Sequence, residues 1–149
     1  MTLKQKIYNH YQELVNDKLV SLQQVLDDLK ESAANETKST AGDKHETALA
    51  MLQIEQANIG AQIQDIKQKK IALQKIDSKT STYEIRNGSL IKTNKGYLFL
   101  SVALGKADIE GNSVVALSPQ SPLGQKLIGL YPNAEVTINS IKYTIESIE

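Results

Sequence analysis

The chain has 149 residues and a mass of 16.4 kDa, enough for one ordinary domain or two small ones. Its 17 basic and 17 acidic side chains give a formal net charge of zero, which argues against a protein that binds nucleic acid over its whole surface, because phosphate binding needs clustered positive charge. With no Cys, no Trp and one Phe, the sequence excludes a disulfide framework, a cysteine-ligated metal site and a cysteine nucleophile, and it offers few rings for base stacking.

The first residues lack the apolar segment of a secretory signal, and no apolar run approaches the roughly 20 residues of a membrane span. We therefore expect a cytoplasmic protein that makes no contact with membranes. The two histidines, His10 and His45, do not by themselves make a metal site.

Residues 1–77 contain no Pro and are rich in good helix formers. Two stripes, each spaced alternately four and three residues apart, run through them. The first consists of Val15, Leu19, Leu22, Leu26, Leu29 and Ala33, extended backward by Tyr8 and Tyr11; the second consists of Leu52, Gln56, Ile59, Ile63, Ile66, Lys70 and Leu73. Two such stripes predict an antiparallel coiled-coil hairpin, with the polar residues 35–46 at its turn, here called the hairpin tip.

Residues 78–149 hold all three Pro and six of the eight Gly, with Val, Ile, Thr and Tyr in short runs, which is typical of strands and turns. The pattern predicts a small α+β domain after a linker at 78–82. The predicted strands are 90–93, 97–103, 113–117, 135–138 and 142–146, the last two joined tightly at Asn139-Ser140. Ser121 suits a helix N-cap, Pro122 the first helical position and Gly129 the C-terminal cap.

The hairpin tip contains the residues with the clearest chemical potential, Asp43 and Glu46. As an N-cap and the third helical residue, they match a capping box that would start the second helix. Two carboxylates three residues apart at a helix start can also point together, and paired carboxylate oxygens suit Mg²⁺. Alone they would make a poor, largely hydrated site, which becomes useful if another protein supplies the remaining ligands.

Two stretches resemble the Gre-type transcript-cleavage factors of bacterial RNA polymerase. Gly42-Asp43-Lys44-His45-Glu46-Thr47-Ala48 is similar to the family's acidic tip motif, and the segment from Val115 to Gly129 is similar to its strand, Ser-Pro and helix motif. The closing Tyr143 to Glu149 also fits the family's last strand. The resemblance implies an α+β chain in which a coiled-coil hairpin with an acidic tip (1–77) precedes a small FKBP-like domain (78–149).

The resemblance also implies a function. The hairpin would enter the polymerase's secondary channel, where Asp43 and Glu46 would help to hold a Mg²⁺ shared with the polymerase and orient water for cleavage at the nascent RNA 3′ end. The chain would bind no cofactor alone, have no autonomous activity and take no small-molecule substrate. The C-terminal domain would dock on the polymerase through Ser118, Pro119, Ser121, Pro122 and Lys126.

Two other interpretations stay open. The family usually has Asn after the tip Glu, where this chain has Thr47. The protein could therefore be a regulator that occupies the secondary channel without stimulating cleavage. The hairpin could also be a coiled-coil interaction module with no role in transcript cleavage.

Overall fold

A computed structural model describes the backbone of residues 1–37 and 42–149 and the side chains of residues 1–36 and 46–149. Two long helices precede six strands and one short helix. In chain order they are α1 (Leu3–Thr37), α2 (Gly42–Gln74), β1 (Leu90–Thr93), β2 (Gly96–Leu100), β3 (Gly105–Ile109), β4 (Asn112–Leu117), α3 (Pro122–Leu127), β5 (Glu135–Ile138) and β6 (Ile141–Ile148). The prediction of a helical hairpin followed by a small α+β domain is confirmed, and the FKBP-like description of that domain stays an expectation.

The two helices pack along the predicted stripes. Every member of the two stripes with a described side chain is buried or half-buried, and most residues between them are exposed. The amide of Gln56 donates to the carbonyl oxygen of Leu29 over 3.4 Å, and residues 14–22 line one cleft together with residues 61–69. Earlier residues of α1 therefore lie beside later residues of α2, so the helices run antiparallel. α1 and α2 have 35 and 33 residues, so each is about 50 Å long.

The six strands form one mixed sheet in the order β3-β4-β2-β1-β6-β5. β2 and β4 are parallel, and every other neighbouring pair is antiparallel. The connection between β5 and β6 is the tight Asn139-Ser140 turn that the sequence predicts, and both residues have a positive φ, as two-residue hairpin turns require. β3 was not predicted from the sequence, and β2 ends at Leu100, three residues before the end of the strand predicted there.

Both faces of the central strand β2 are buried. Leu98 and Leu100 pack into a core that includes Leu127 of α3, while Phe99 points to the other face and stacks on Tyr11 of α1 with ring centroids 6.2 Å apart. The hydroxyl of Tyr11 donates to the carbonyl oxygens of Gly105 and Val114, over 2.9 and 3.4 Å. The start of α1 therefore belongs to the core of the sheet.

The chain forms two compact units that cut across both helices: residues 1–13 with 71–149, and residues 14–70. We call them the sheet unit and the hairpin unit. The predicted domains, 1–77 and 78–149, instead follow the change from helix to strand. The division by contacts differs because both helix ends belong to the sheet unit: Tyr11 of α1 stacks on Phe99 of β2, and Leu73 near the end of α2 is buried. The predicted linker at 78–82 is held in the sheet unit by the hydrogen bond that Lys4 donates to the carbonyl oxygen of Thr80.

Candidate functional site

The hairpin tip places Glu46 in the second turn of α2, where its side chain is exposed. The helix begins at Gly42, so the backbone of Asp43 lies inside the first turn and not at the N-cap position predicted for it. The side chain of Asp43 lies outside the described residues. The predicted capping box needs Asp43 at the N-cap and is therefore wrong in its placement. The convergence of the two carboxylates remains a prediction.

The backbone still constrains what this end of α2 can do. Residues 43 and 46 are three positions apart in one helix, and such residues lie on the same face. The N-terminal end of a helix carries unpaired N–H groups and a partial positive charge, which favour carboxylates nearby. An exposed carboxylate such as Glu46 is a hard oxygen ligand that suits Mg²⁺, a cation that keeps several of its six positions for water or for other ligands.

A metal site made by this chain alone finds no support in the part of the chain that the structure describes. No three His, Asp or Glu side chains come together among residues 1–36 and 46–149 in a way that could hold an ion. Glu46 by itself offers at most two oxygen ligands, fewer than the six that Mg²⁺ takes. The chemistry of Glu46 fits a shared site and does not complete one.

The segment 118–129 is shaped by its own hydrogen bonds. Ser121 caps α3, because its hydroxyl accepts from the backbone N–H of Gly124 over 3.0 Å and donates to the carbonyl oxygen of Ser118 over 2.6 Å. The hydroxyl of Ser118 accepts from the backbone N–H of Gln120 over 3.1 Å. A Cβ on Gly124 would lie 2.1 Å from the carbonyl oxygen of Ser118, so the turn closes only with glycine there. The predictions of Ser121 as N-cap and Pro122 as first helical residue are confirmed.

The five residues predicted to contact a partner differ in what they offer. Pro122 and Lys126 are exposed, and the ammonium of Lys126 donates to the carbonyl oxygen of Thr137 over 3.0 Å. Ser118, Pro119 and Ser121 are half-buried, and the two hydroxyls hold the turn. The structure brings all five into one short segment. Their role in binding stays a prediction, with Pro122 and Lys126 the better placed for contact.

An exposed aromatic pair near this segment was missed in the sequence. Tyr83 and Tyr131 are 73% and 50% exposed, and their ring centroids are 5.5 Å apart. Two backbone hydrogen bonds join their segments, from Ile85 N–H to the carbonyl oxygen of Leu130 and from Gly129 N–H to that of Ile85. Exposed tyrosines are enriched where proteins bind one another. The sequence signal was weak, because 48 positions separate the two residues.

No helix in the described part of the chain is long and apolar enough to cross a membrane. No protein-family model matches the chain, and no curated protein sequence does. One solved structure, described as that of the transcription factor Gfh1, matches over 92% of this chain and 92% of that chain, with a TM-score of 0.37 and 16% sequence identity. A likeness this distant assigns neither a partner nor an activity.

Proposed function

We propose that this protein binds bacterial RNA polymerase through the secondary channel and stimulates cleavage of backtracked RNA. The observation that carries the proposal is the hairpin itself: two antiparallel helices of 35 and 33 residues, with an acidic pair in the sequence at the start of the second. A hairpin of this kind is narrow, since only two helices pack together, and it can place its tip inside a channel that would exclude a globular domain.

The tip residues would act on the attacking water. Asp43 would contribute a carboxylate oxygen to a Mg²⁺ that the polymerase also holds, and Glu46 would ligate the same ion or orient the water. When bound, that ion lowers the pKa of its water and stabilises charge on the phosphate oxygens. The exposure of Glu46 supports this role, because a carboxylate that serves another protein's active site must be free to reach it.

The sheet unit would hold the protein on the polymerase. Pro122 and Lys126 supply an exposed apolar ring and an exposed cation in the segment that resembles the family's strand, Ser-Pro and helix motif. The pair Tyr83 and Tyr131 would extend this surface, since their rings are exposed and their segments are joined to residues 129–130 by the backbone.

The test is RNA cleavage in a stalled, backtracked elongation complex of the cognate polymerase with Mg²⁺, with and without this protein. We expect shortening of the RNA from its 3′ end, and loss of that stimulation by at least about 100-fold in the Asp43→Asn/Glu46→Gln double variant, the order expected when a group that positions the reacting water is removed. The matched control is Glu31→Gln/Glu55→Gln, which removes two exposed carboxylates elsewhere on the helices and should cleave like the wild type.

Polymerase binding is measured in parallel for all three proteins. If the double variant binds the polymerase but does not stimulate RNA cleavage, the tip carboxylates are needed for cleavage and other parts of the protein are responsible for binding. If the wild-type protein does not bind the polymerase, the proposal is wrong, and the hairpin is an interaction module for another partner.

Thr47 favours one second candidate, a secondary-channel regulator that does not stimulate cleavage, because the family usually has Asn at this position. Under that function the protein binds the polymerase and the RNA keeps its length. The Thr47→Asn variant separates the two: a gain of cleavage would show that this position decides between cleavage and occupation of the channel.

A further inference from the structure

Lys4, in the first turn of α1, is a buried cation without an ionic partner. It is only 5% exposed, and its ammonium donates one hydrogen bond, to the carbonyl oxygen of Thr80 over 2.7 Å. Among the described residues no carboxylate lies within ion-pair distance of it. Burial lowers the pKa of Lys4, and the charges of Asp77 and Glu149 oppose this effect from farther away. A buried charge normally has a close counterion, so Lys4 lacks the partner that its burial demands.

Lys4 lines a cavity of about 190 Å³ within the sheet unit, here called the Lys4 cavity. Arg86 and Asp77 are the other charged residues of its lining, which therefore has one positive charge in excess, while Glu149, whose charge also acts on Lys4, is not part of the lining. Arg86 is exposed and, among the described residues, has no carboxylate within ion-pair distance.

The carboxylate and the serine hydroxyl of the wall already accept hydrogen bonds. The carboxylate of Asp77 accepts from the backbone N–H of Lys79 over 2.8 Å and from the hydroxyl of Thr80. The hydroxyl of Ser89 accepts from the backbone N–H of Arg86 over 3.0 Å and contacts the hydroxyl of Thr82, which donates to the carbonyl oxygen of Glu84. Two cationic groups keep donors to spare, the ammonium of Lys4 and the guanidinium of Arg86. An anion that accepts hydrogen bonds from them would offset the excess positive charge of the lining.

We propose that the Lys4 cavity binds a small oxyanion of the phosphate or sulfate type. Guanidinium and ammonium groups bind such anions through short charge-assisted hydrogen bonds, and Lys4 and Arg86 both line this cavity. The volume supports a free ion, since it exceeds the roughly 30 Å³ of one water and falls below the roughly 300 Å³ at which pockets for larger organic ligands begin. This site is independent of the function proposed for the hairpin tip.

The experiment is a titration of the full chain with inorganic phosphate at constant ionic strength, followed by the amide signals of residues 86–89 in ¹H–¹⁵N spectra. We expect saturable shifts that sodium chloride does not produce.

Arg86→Gln, an exposed change that should not disturb folding, weakens phosphate binding by about tenfold, as the loss of one hydrogen bond to a charged group implies. Lys4→Met keeps the aliphatic stem and abolishes saturation. The control Lys142→Gln, at an exposed lysine paired with Glu135, binds like the wild type.

Three results would overturn the proposal. Shifts that stay linear, or are equal for phosphate and chloride, mean that the cavity holds water only. An unchanged affinity in Arg86→Gln means that the anion lies elsewhere on the surface, and this holds even if Lys4→Met fails to fold. Adenosine monophosphate that binds as tightly as phosphate means that the ligand is a phosphate ester whose organic part lies outside the cavity, not a free ion.

Discussion

The hairpin unit and the sheet unit bury their apolar residues to different degrees. In the hairpin unit, Leu22, Leu26 and Leu29 are half-buried, because a helix that packs on only one other helix keeps one side of its stripe in water. In the sheet unit, Ile91 and Leu100 have no exposure, because elements cover both faces of the central strands. A regular pattern of apolar residues can therefore form either a two-helix hairpin, whose apolar residues stay partly exposed, or a core that is covered on both faces.

The largest expected effect comes from replacing a leucine by alanine in each unit and comparing the two losses in the free energy of unfolding. Leu100→Ala should lower the free energy of unfolding by about 3–4 kcal/mol, the usual cost of a cavity at a fully buried leucine. Leu26→Ala should cost about 1 kcal/mol, because the half-buried side chain loses less contact and water can fill the space. Denaturant unfolding followed by circular dichroism measures both. Equal losses would show that the hairpin is packed as tightly as the sheet.

Replacing one glycine by alanine in each unit should change the free energy of unfolding in opposite directions. Gly124→Ala should destabilise the protein by about 2–3 kcal/mol, because the new Cβ meets the carbonyl oxygen of Ser118. Gly60→Ala in α2 has nothing within 4 Å of the new Cβ and should stabilise the helix by about 0.5–1 kcal/mol. Thermal unfolding of the two variants gives the signs, and a stabilising Gly124→Ala would contradict the turn geometry described here.

A smaller effect concerns the point where α1 enters the core of the sheet. Tyr11→Phe should cost about 1–1.5 kcal/mol, since the fully buried side chain then loses its hydrogen bonds to the carbonyl oxygens of Gly105 and Val114. Tyr8→Phe is the matched control: its hydroxyl accepts from the amide of Gln12 in the same helix, at a half-buried site that water reaches. If both variants unfold at the same denaturant concentration, the hydroxyl of Tyr11 does not anchor the helix.

The smallest effect depends on pH and lies at the end of α2. Hydrogen bonds from the Thr80 hydroxyl and the Lys79 N–H lower the pKa of Asp77 below its usual 3.8. The ionised group therefore adds stability above pH 3.8, and this stability is lost as the pH falls through the lower pKa of the folded state. Asp77→Asn should reduce the melting temperature slightly at pH 7, and this difference should shrink as the pH falls below 3.8. A difference that does not change with pH would point to packing instead.

Much of the fold follows from local patterns. The two stripes predicted the helices and their buried faces, and Ser121 and Pro122 predicted the start of α3, because a helix repeat and a capping site need only a few neighbouring residues. β3 was missed because its sequence, Gly-Lys-Ala-Asp-Ile, has few residues that favour strands. Its pairing with β4 holds it in the sheet, and that partner is not visible in a local window.

The candidate sites were predictable to different degrees. The acidic pair at the hairpin tip stands out in the sequence because Asp43 and Glu46 are neighbours there. The Lys4 cavity could not be predicted, since a lysine at the start of a polar helix is normally solvated and Arg86 is 82 positions away. Its burial results from tertiary packing, in which the first turn of α1 lies against the segment that contains Thr80.

The position of β6 in the sheet has a consequence for protein synthesis. β6 leaves the ribosome after the five other described strands, yet it lies between β1 and β5. The helical hairpin depends on contacts between nearby residues and can form while translation continues, whereas the sheet cannot close until residues 141–148 have emerged. Until then the core that contains Leu98, Leu100 and Leu127 lacks Ile145 of β6. Ribosomes that stop before codon 141 would release a chain with a formed hairpin and an unfinished sheet, a natural substrate for chaperones and proteases.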